Sequence, residues 1–432
     1  MTEPFTPEAL TGDAVRLSHR AGPKIHTRSA RLDDWVALRE REGLYAYERS
    51  FDSAIGPTAR IRSSTGVEAS GINFCAQDYL GLTADPRLRE AAVEAIHRFG
   101  THSAGSAMAA GRTALSDRLT ETLASLTGME HIVLFPTGWM AGFGTVSALV
   151  RPGDHVLIDE LAHSCLRMGA AAATSKVVRF PHLDNAAVAE HLAEIRRRSA
   201  RTGILVVTEG TYSMDSDSPD LAELQRLCTA HDATLLVDVA HDFGATGKHG
   251  GGRIEEQGLV GTVDLVVGSF SKTFATTGGF LATNSLTVKR TMTVASEPWM
   301  FGAGLGPVPC AVADAAGRII GSYEGAGLRA RLLTNAVHLR DLLAAHGIEL
   351  LGEPSAVVPV LLRSDALARI VTAWAARDGV LVNMAEAPAV PHNTARLRLQ
   401  LMATHDDAQL ELAARTLVGV IGEAGRFLDR TA

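Results

Sequence analysis

The sequence predicts an α/β fold: a large, mainly parallel sheet of seven strands covered by helices, followed by a smaller α+β carboxy-terminal domain. Three observations predict it. From Asn73 onward, short β-rich runs alternate with helical segments, the pattern of parallel strands joined by crossover helices. After about residue 310 that alternation gives way to a long helical stretch and a second set of short strands. The chain has 432 residues, 46% hydrophobic and 21% charged, a globular composition with room for one large domain and a smaller one.

Taken in order, residues 1–70 form an arm with one amphipathic helix in "DDWVALREREGLYAYERS", where Trp35, Leu38 and Leu44 fall near helical spacing. Residues 71–310 form the large domain. Its strands are expected at "HIVLF", "DHVLI", "SKVVRF", "TGILVVTE", "ATLLVD", "VDLVVGSF" and "GFLAT". Residues 311–432 form the small domain, with a helical stretch from Ala311 to His346 broken near Gly325. Strands follow at "IELLG", "SAVVPVLL", "GVLVNMAE" and "ARLRLQLMAT", and helices around Ala366 to Asp378 and Asp406 to Ile421.

The net charge of -7 argues against broad nucleic-acid binding, which needs a basic face, and leaves room for a local phosphate pocket. The run "RRRSAR" at Arg196 to Arg201 reads as a solvated helix end. Cys75, Cys165, Cys228 and Cys310 form no C-x-x-C pair, so neither a zinc ribbon nor a redox motif is indicated and no metal site is expected. The start "MTEPFTPEALTGD" lacks the charged and apolar regions of a secretory signal, and no window has the length and apolarity of a membrane span. A reduced, cytoplasmic setting is expected.

In open α/β sheets, ligands bind beyond the carboxyl ends of the strands. "HIVLF" runs into "PTGWMAG", where Gly138 and Trp139 open a helix whose free N–H groups suit a phosphate. "DHVLI" leads to His163, "TGILVVTE" to Ser213, "ATLLVD" to Asp238 and then His241, and "VDLVVG" to Ser269 and Lys272. Lys272 is one of only five lysines in a chain that otherwise uses arginine. An amine can become neutral and attack a carbonyl, which a guanidinium cannot.

These groups meet the needs of pyridoxal 5'-phosphate (PLP). Lys272 would bond the cofactor aldehyde and Asp238 would keep the ring nitrogen protonated. His241 would hydrogen-bond the ring 3-oxygen, His163 would lie over the ring face, and Ser269 with the Gly138 loop would hold the phosphate. Each has a bland alternative: Asp238 as a helix cap, either histidine as a satisfied structural group, the glycines as a turn. The ordered set, all at strand ends, favours the cofactor. A P-loop fails at Lys272 because Val266 and Ser271 stand where glycines are required. "SFSK" fits the S-x-x-K of serine β-lactamases, but neither S-D-N nor K-T-G occurs.

The strings "NFCAQDYLGL", "LFPTGWMAG", "DELAHSCL", "TEGTYSMDSD", "DVAH", "SFSKTF" and "PAVPHNTARLRLQLMATH" together resemble the α-oxoamine synthase family of fold-type-I PLP enzymes. The resemblance implies a decarboxylating condensation of an amino acid with an acyl thioester, carried by coenzyme A or an acyl carrier protein, in a homodimer with interfacial active sites. Lys272 would also be the base for the α-proton. His163 and Ser213 would position the substrates, Arg398 would grip the substrate carboxylate, and Gln77 would stand where a residue can reach the neighbouring subunit's substrate. Strand alternation puts Arg396, Arg398 and Gln400 on one face, with Arg396 expected at the surface.

Departures from the family pattern bear on the substrate. Val239 replaces the Glu of D-E-A-H, Gly302, Ala303 and Gly304 replace hydroxyl residues, and Glu386 lies where the oxononanoate synthases carry an arginine. They point away from a standard biotin-pathway enzyme and toward a specialised biosynthetic one. An aminotransferase or decarboxylase of the same fold is the alternative reaction class. A non-catalytic partner subunit is disfavoured, since a scaffold has no need of Lys272.

Overall fold

The structure is a computed structural model that describes residues 5–431. Two compact units divide it. One takes in the described residues up to Gln77, together with Met214–Ser216 and those from Leu332 on; the other takes in Asp78–Ser213 and Asp217–Arg331. This differs from the expected division at two points. The arm is grouped with the carboxy-terminal residues, because the strand Glu68–Asn73 pairs in parallel with Val380–Leu381. The boundary falls at Arg331, inside the helix Tyr323–Ala344, because the preceding helix Pro307–Ile320 packs on Pro86–Phe99 and Ala114–Thr127 of the larger unit.

All seven expected strands form one sheet in the larger unit. Its order is His131–Phe135, Gly279–Thr283, Leu265–Ser269, Thr234–Asp238, Ile204–Glu209, His155–Asp159, Val177–Phe180. The last five pair in parallel, and Gly279–Thr283 is antiparallel to both its neighbours. That reversal follows from the chain: Phe270–Gly278 is too short for a crossover helix, so the strand after the Lys272 loop must return alongside. Every residue of Ile204–Glu209 is buried, which is why its sequence reads as one apolar run without alternation. Val207, Leu236, Val267 and Leu281 are each at most 1% exposed in a core completed by the helices Gly138–Leu149 and Ser164–Ala173. Full burial of one such side chain stabilises by roughly 1.5–3 kcal/mol.

The smaller unit holds a four-stranded sheet, ordered Ser50–Phe51, Thr58–Arg62, Glu68–Asn73, Val380–Leu381, and a three-stranded one, ordered Val357–Arg363, Ala395–Gln400, Asn383–Ala385. The arm helix is Ala30–Arg41; it stops at Gly43, whose φ of 70° leaves the helical region. "IELLG" makes only a single bridge, Leu350 to Val360. The break in the long helical stretch falls at Gly321 and Ser322, not at Gly325.

One expectation is corrected here. Arg396 is not a surface residue: it is 4% exposed and its guanidinium pairs with Asp215 and the Met214 carbonyl. Alternation along the strand holds, with Leu397 and Leu399 fully buried, but the arginine face is covered as well. Glu386 is likewise buried, paired with Arg39 and Arg369 and accepting from the Tyr47 hydroxyl at 3.1 Å. Among the described residues, no helix is long and apolar enough to cross a membrane.

Candidate active site

A cavity of about 310 Å³ opens in the larger unit, and Gly138, Trp139, His163, Asp238, His241, Ser269 and Lys272 all line it. Ser213 is not among its lining residues, and Gln77 and Arg398 belong to the other compact unit.

At one end lies a helix N-terminus. Thr137 caps the helix Gly138–Leu149 by accepting from the Met140 N–H at 3.1 Å, and the N–H groups of the first turn have no partner within the helix. A Cβ on Gly138 would come within 2.6 Å of Ser269 Oγ, so glycine keeps this end open. Ser269 and Ser271 pair through their hydroxyls at 2.8 Å, and Thr277 adds a third hydroxyl to the wall. Helix N–H groups and hydroxyls are donors that suit a phosphate.

Lys272 sits in a loop held from below. Phe270, Phe274 and Phe280 are fully buried, with Phe270 stacked on Phe280 at 5.7 Å and against Phe274 at 5.3 Å. Above them the loop closes on itself: the Phe270 N–H donates to Gly278, Thr276 to Phe270, and Ala275 to the Lys272 carbonyl at 3.0 Å. Ala275 takes a φ of 54°, a left-handed conformation held by this bonding.

Asp238 ends its strand 8% exposed, with Oδ1 accepting from the Ala240 N–H at 2.9 Å. Burial raises its carboxyl, and His163 and Lys272 draw it back down. His241 Nδ1 lies 2.8 Å from the Tyr79 hydroxyl. His163 caps the helix Ser164–Ala173: its Nδ1 accepts from the Cys165 N–H at 3.4 Å and lies 3.0 Å from Cys165 Sγ. Because a backbone N–H can only donate, Nδ1 carries no proton and a neutral ring carries its proton on Nε2. Burial lowers the His163 value and favours that neutral form.

Several residues of this site were not singled out from the sequence, the hydroxyl residues Ser271 and Thr277 among them. Glu209 and Cys165 line the cavity, and Tyr79 holds His241. Glu209 had a usable signal, since it is the residue that terminates "TGILVVTE". The departures also find reasons. Val239 is fully buried, where a glutamate would lack water. A Cβ on Gly302 or Gly304 would come within 2.3 Å of the Pro298 or Gly111 carbonyl, so hydroxyl residues do not fit this backbone path.

The model of aminotransferase class I and II matches residues 69–417. The chain belongs to this family. Within the aminotransferase class I and II family it falls in the α-oxoamine synthase group. It is 35% identical to an 8-amino-7-oxononanoate synthase of Geobacter sulfurreducens, over 90% of this chain and 97% of that one. It is 34% identical to a serine palmitoyltransferase of Sphingobacterium spiritivorum, over 89% and 93%. Among solved structures, a serine palmitoyltransferase from S. paucimobilis with a bound PLP–myriocin aldimine superposes with a TM-score of 0.85 at 31% identity, over 92% of this chain and 99% of that one. The fold is therefore that of the fold-type-I PLP transferases, and the cavity's donors fit that cofactor.

Proposed function

We propose that this chain is a PLP-dependent acyltransferase of the α-oxoamine synthase group, condensing an amino acid with an acyl thioester and releasing carbon dioxide to give an α-amino ketone. The observation that carries the reading is the meeting of Lys272 and the buried Asp238 in one cavity with the capped helix N-terminus. The two named relatives, matched over nearly their whole length, favour condensation over transamination.

When bound, PLP supplies an electron sink that makes it feasible to leave an electron pair on the amino acid's α-carbon. Lys272 Nζ anchors the cofactor and is the base that takes the α-proton. Asp238 is the counter-charge for the ring nitrogen. His241, oriented by Tyr79, would hydrogen-bond the 3-oxygen, and Gly138, Trp139 and Ser269 would hold the phosphate. His163, with its proton on Nε2, would offer a neutral N–H donor to what the cavity holds. Arg398 grips the substrate carboxylate, while Ser213 and Gln77 contact the substrates.

The reading includes a cytoplasmic homodimer. Trp139, Met108 and Phe301 are 45%, 53% and 79% exposed, and large apolar side chains left open in this number suit a covered face. The departures at Val239, Gly302 and Glu386 support a substrate other than that of the biotin-pathway synthases.

The test is stoichiometry. Carboxyl-labelled amino acid and acyl thioester should release labelled carbon dioxide and free thiol in equal amounts, without keto acid. Keto acid in place of both would assign the chain to transamination.

A further inference from the structure

His182 stands just after the strand Val177–Phe180, with its ring between the carboxylate of Asp159, which ends the strand His155–Asp159, and that of Asp217, in the loop after Ser213. Nδ1 lies 2.9 and 3.1 Å from the two oxygens of Asp159, and Nε2 lies 3.1 Å from Asp217 Oδ2. A carboxylate offers only lone pairs to a ring nitrogen, so an imidazole satisfied on both sides must carry both protons. Burial lowers the proton affinity of the ring, but the two carboxylates outweigh it and hold the value up to about 10. The other groups around the ring do not compete for its protons: Glu160 accepts from the His182 backbone N–H at 3.2 Å, and the Tyr212 ring stands edge-on at 4.5 Å.

Each acid belongs to a segment that carries a site residue, Asp159 organising its turn through its carboxylate and Asp217 closing its loop through its backbone carbonyl. Asp159 begins the turn "DELAH" that ends in His163, and it also accepts the N–H groups of Leu161 and Leu183 at 2.9 and 3.0 Å. Asp217 follows the Ser213 loop and closes it, its carbonyl accepting from the Tyr212 N–H at 3.0 Å. Leu183 adopts a φ of 60°, a conformation leucine takes only where its surroundings impose it, and in it the Leu183 N–H reaches the same Asp159 carboxylate that faces the His182 ring.

We propose that His182 is a positioning residue of the site, a charged strut that ties the turn bearing His163 to the loop bearing Ser213. The proposal rests on the function proposed above, in which those two residues meet the substrates. The strut itself is testable without substrate. In the holoenzyme with ring-labelled histidine, nitrogen NMR at pH 8 should show His182 protonated at both nitrogens, identified by the signal lost in His182→Gln; a neutral ring at pH 8 overturns the proposal. Amide exchange at Leu161 and Tyr212 should rise about tenfold or more in His182→Gln, the scale of a lost charge-assisted hydrogen bond. It should return toward the parent in His182→Arg, which restores a cation that can face both acids. Unchanged exchange in the Gln variant overturns the strut. Faster exchange with unchanged kcat and KM overturns its positioning role, whereas a raised KM with the cofactor still bound supports it. Failure of the function reading would look different: the parent itself would then fail to release thiol and carbon dioxide together.

Discussion

The backbone N–H of His163 donates to Glu209 Oε1 at 2.6 Å, so the ring over the cavity is suspended from a carboxyl on the neighbouring strand. Glu209 pairs in register with Asp238, which brings two buried carboxyls side by side. Burial, and then the charge of Asp238, hold Glu209 well above the usual carboxylate range. Glu209→Gln keeps both the acceptor and the neutral state, and should change stability by less than about 1 kcal/mol. Glu209→Ala leaves a buried N–H unpaired and should cost about 1–3 kcal/mol, read from denaturant unfolding.

Asp242 makes a pH-dependent contribution of the opposite sign to that of an ordinary ion-paired acid. It is fully buried, and burial pushes its carboxyl up to about 7 from 3.8, against the Arg253 N–H that donates to it at 2.8 Å. The folded state thus binds the proton more tightly than the unfolded chain. Stability falls as pH rises from about 4 to about 7, by something on the order of 4 kcal/mol in all. Asp242→Asn, which mimics the protonated acid, should flatten that slope in unfolding curves measured across the range. An equally steep slope in the variant would remove Asp242 as its source.

Lys272→Ala should abolish turnover and also the covalent attachment of PLP that borohydride reduction fixes on the peptide containing "SFSKTF". Peptide mass mapping of the reduced parent checks the site. Cofactor found on a different lysine would refute the assignment.

The two strand arginines should separate stability from catalysis. Arg396→Ala removes the buried partner of Asp215 and should cost about 1–3 kcal/mol in unfolding free energy, Asp215 being partly hydrated. Arg398→Ala should leave stability closer to the parent and lower kcat/KM by several kcal/mol, on the scale of a charge-assisted carboxylate contact. Unfolding curves and steady-state kinetics on the two variants decide it.

The cavity residues that were legible share a feature: each lies at the end of an apolar strand or within four residues of it. Lys272, Asp238, His241, His163 and Gly138 could be found because the topology of a parallel sheet sends every strand end to one edge, so order along the chain becomes proximity in space. Tyr79 carries no such mark, since it reaches His241 across 162 residues of sequence through the fold alone. Arg396 was misread because an arginine on an alternating strand looks the same in sequence whether it faces water or a buried aspartate.

The sequence by itself determined the seven strands, their helical connections and the set of groups at the strand ends. Burial on both faces, turn residues and capping all act over a few residues, and each leaves a local trace. Only the tertiary structure decided that Glu209 carries His163, that Tyr79 orients His241, that His182 lies between Asp159 and Asp217, and that the arm shares a sheet with Val380–Leu381. Those relations depend on strand register and on which distant segments close against one another, and the energy that selects them is spread over the whole packed interior rather than written in any short stretch.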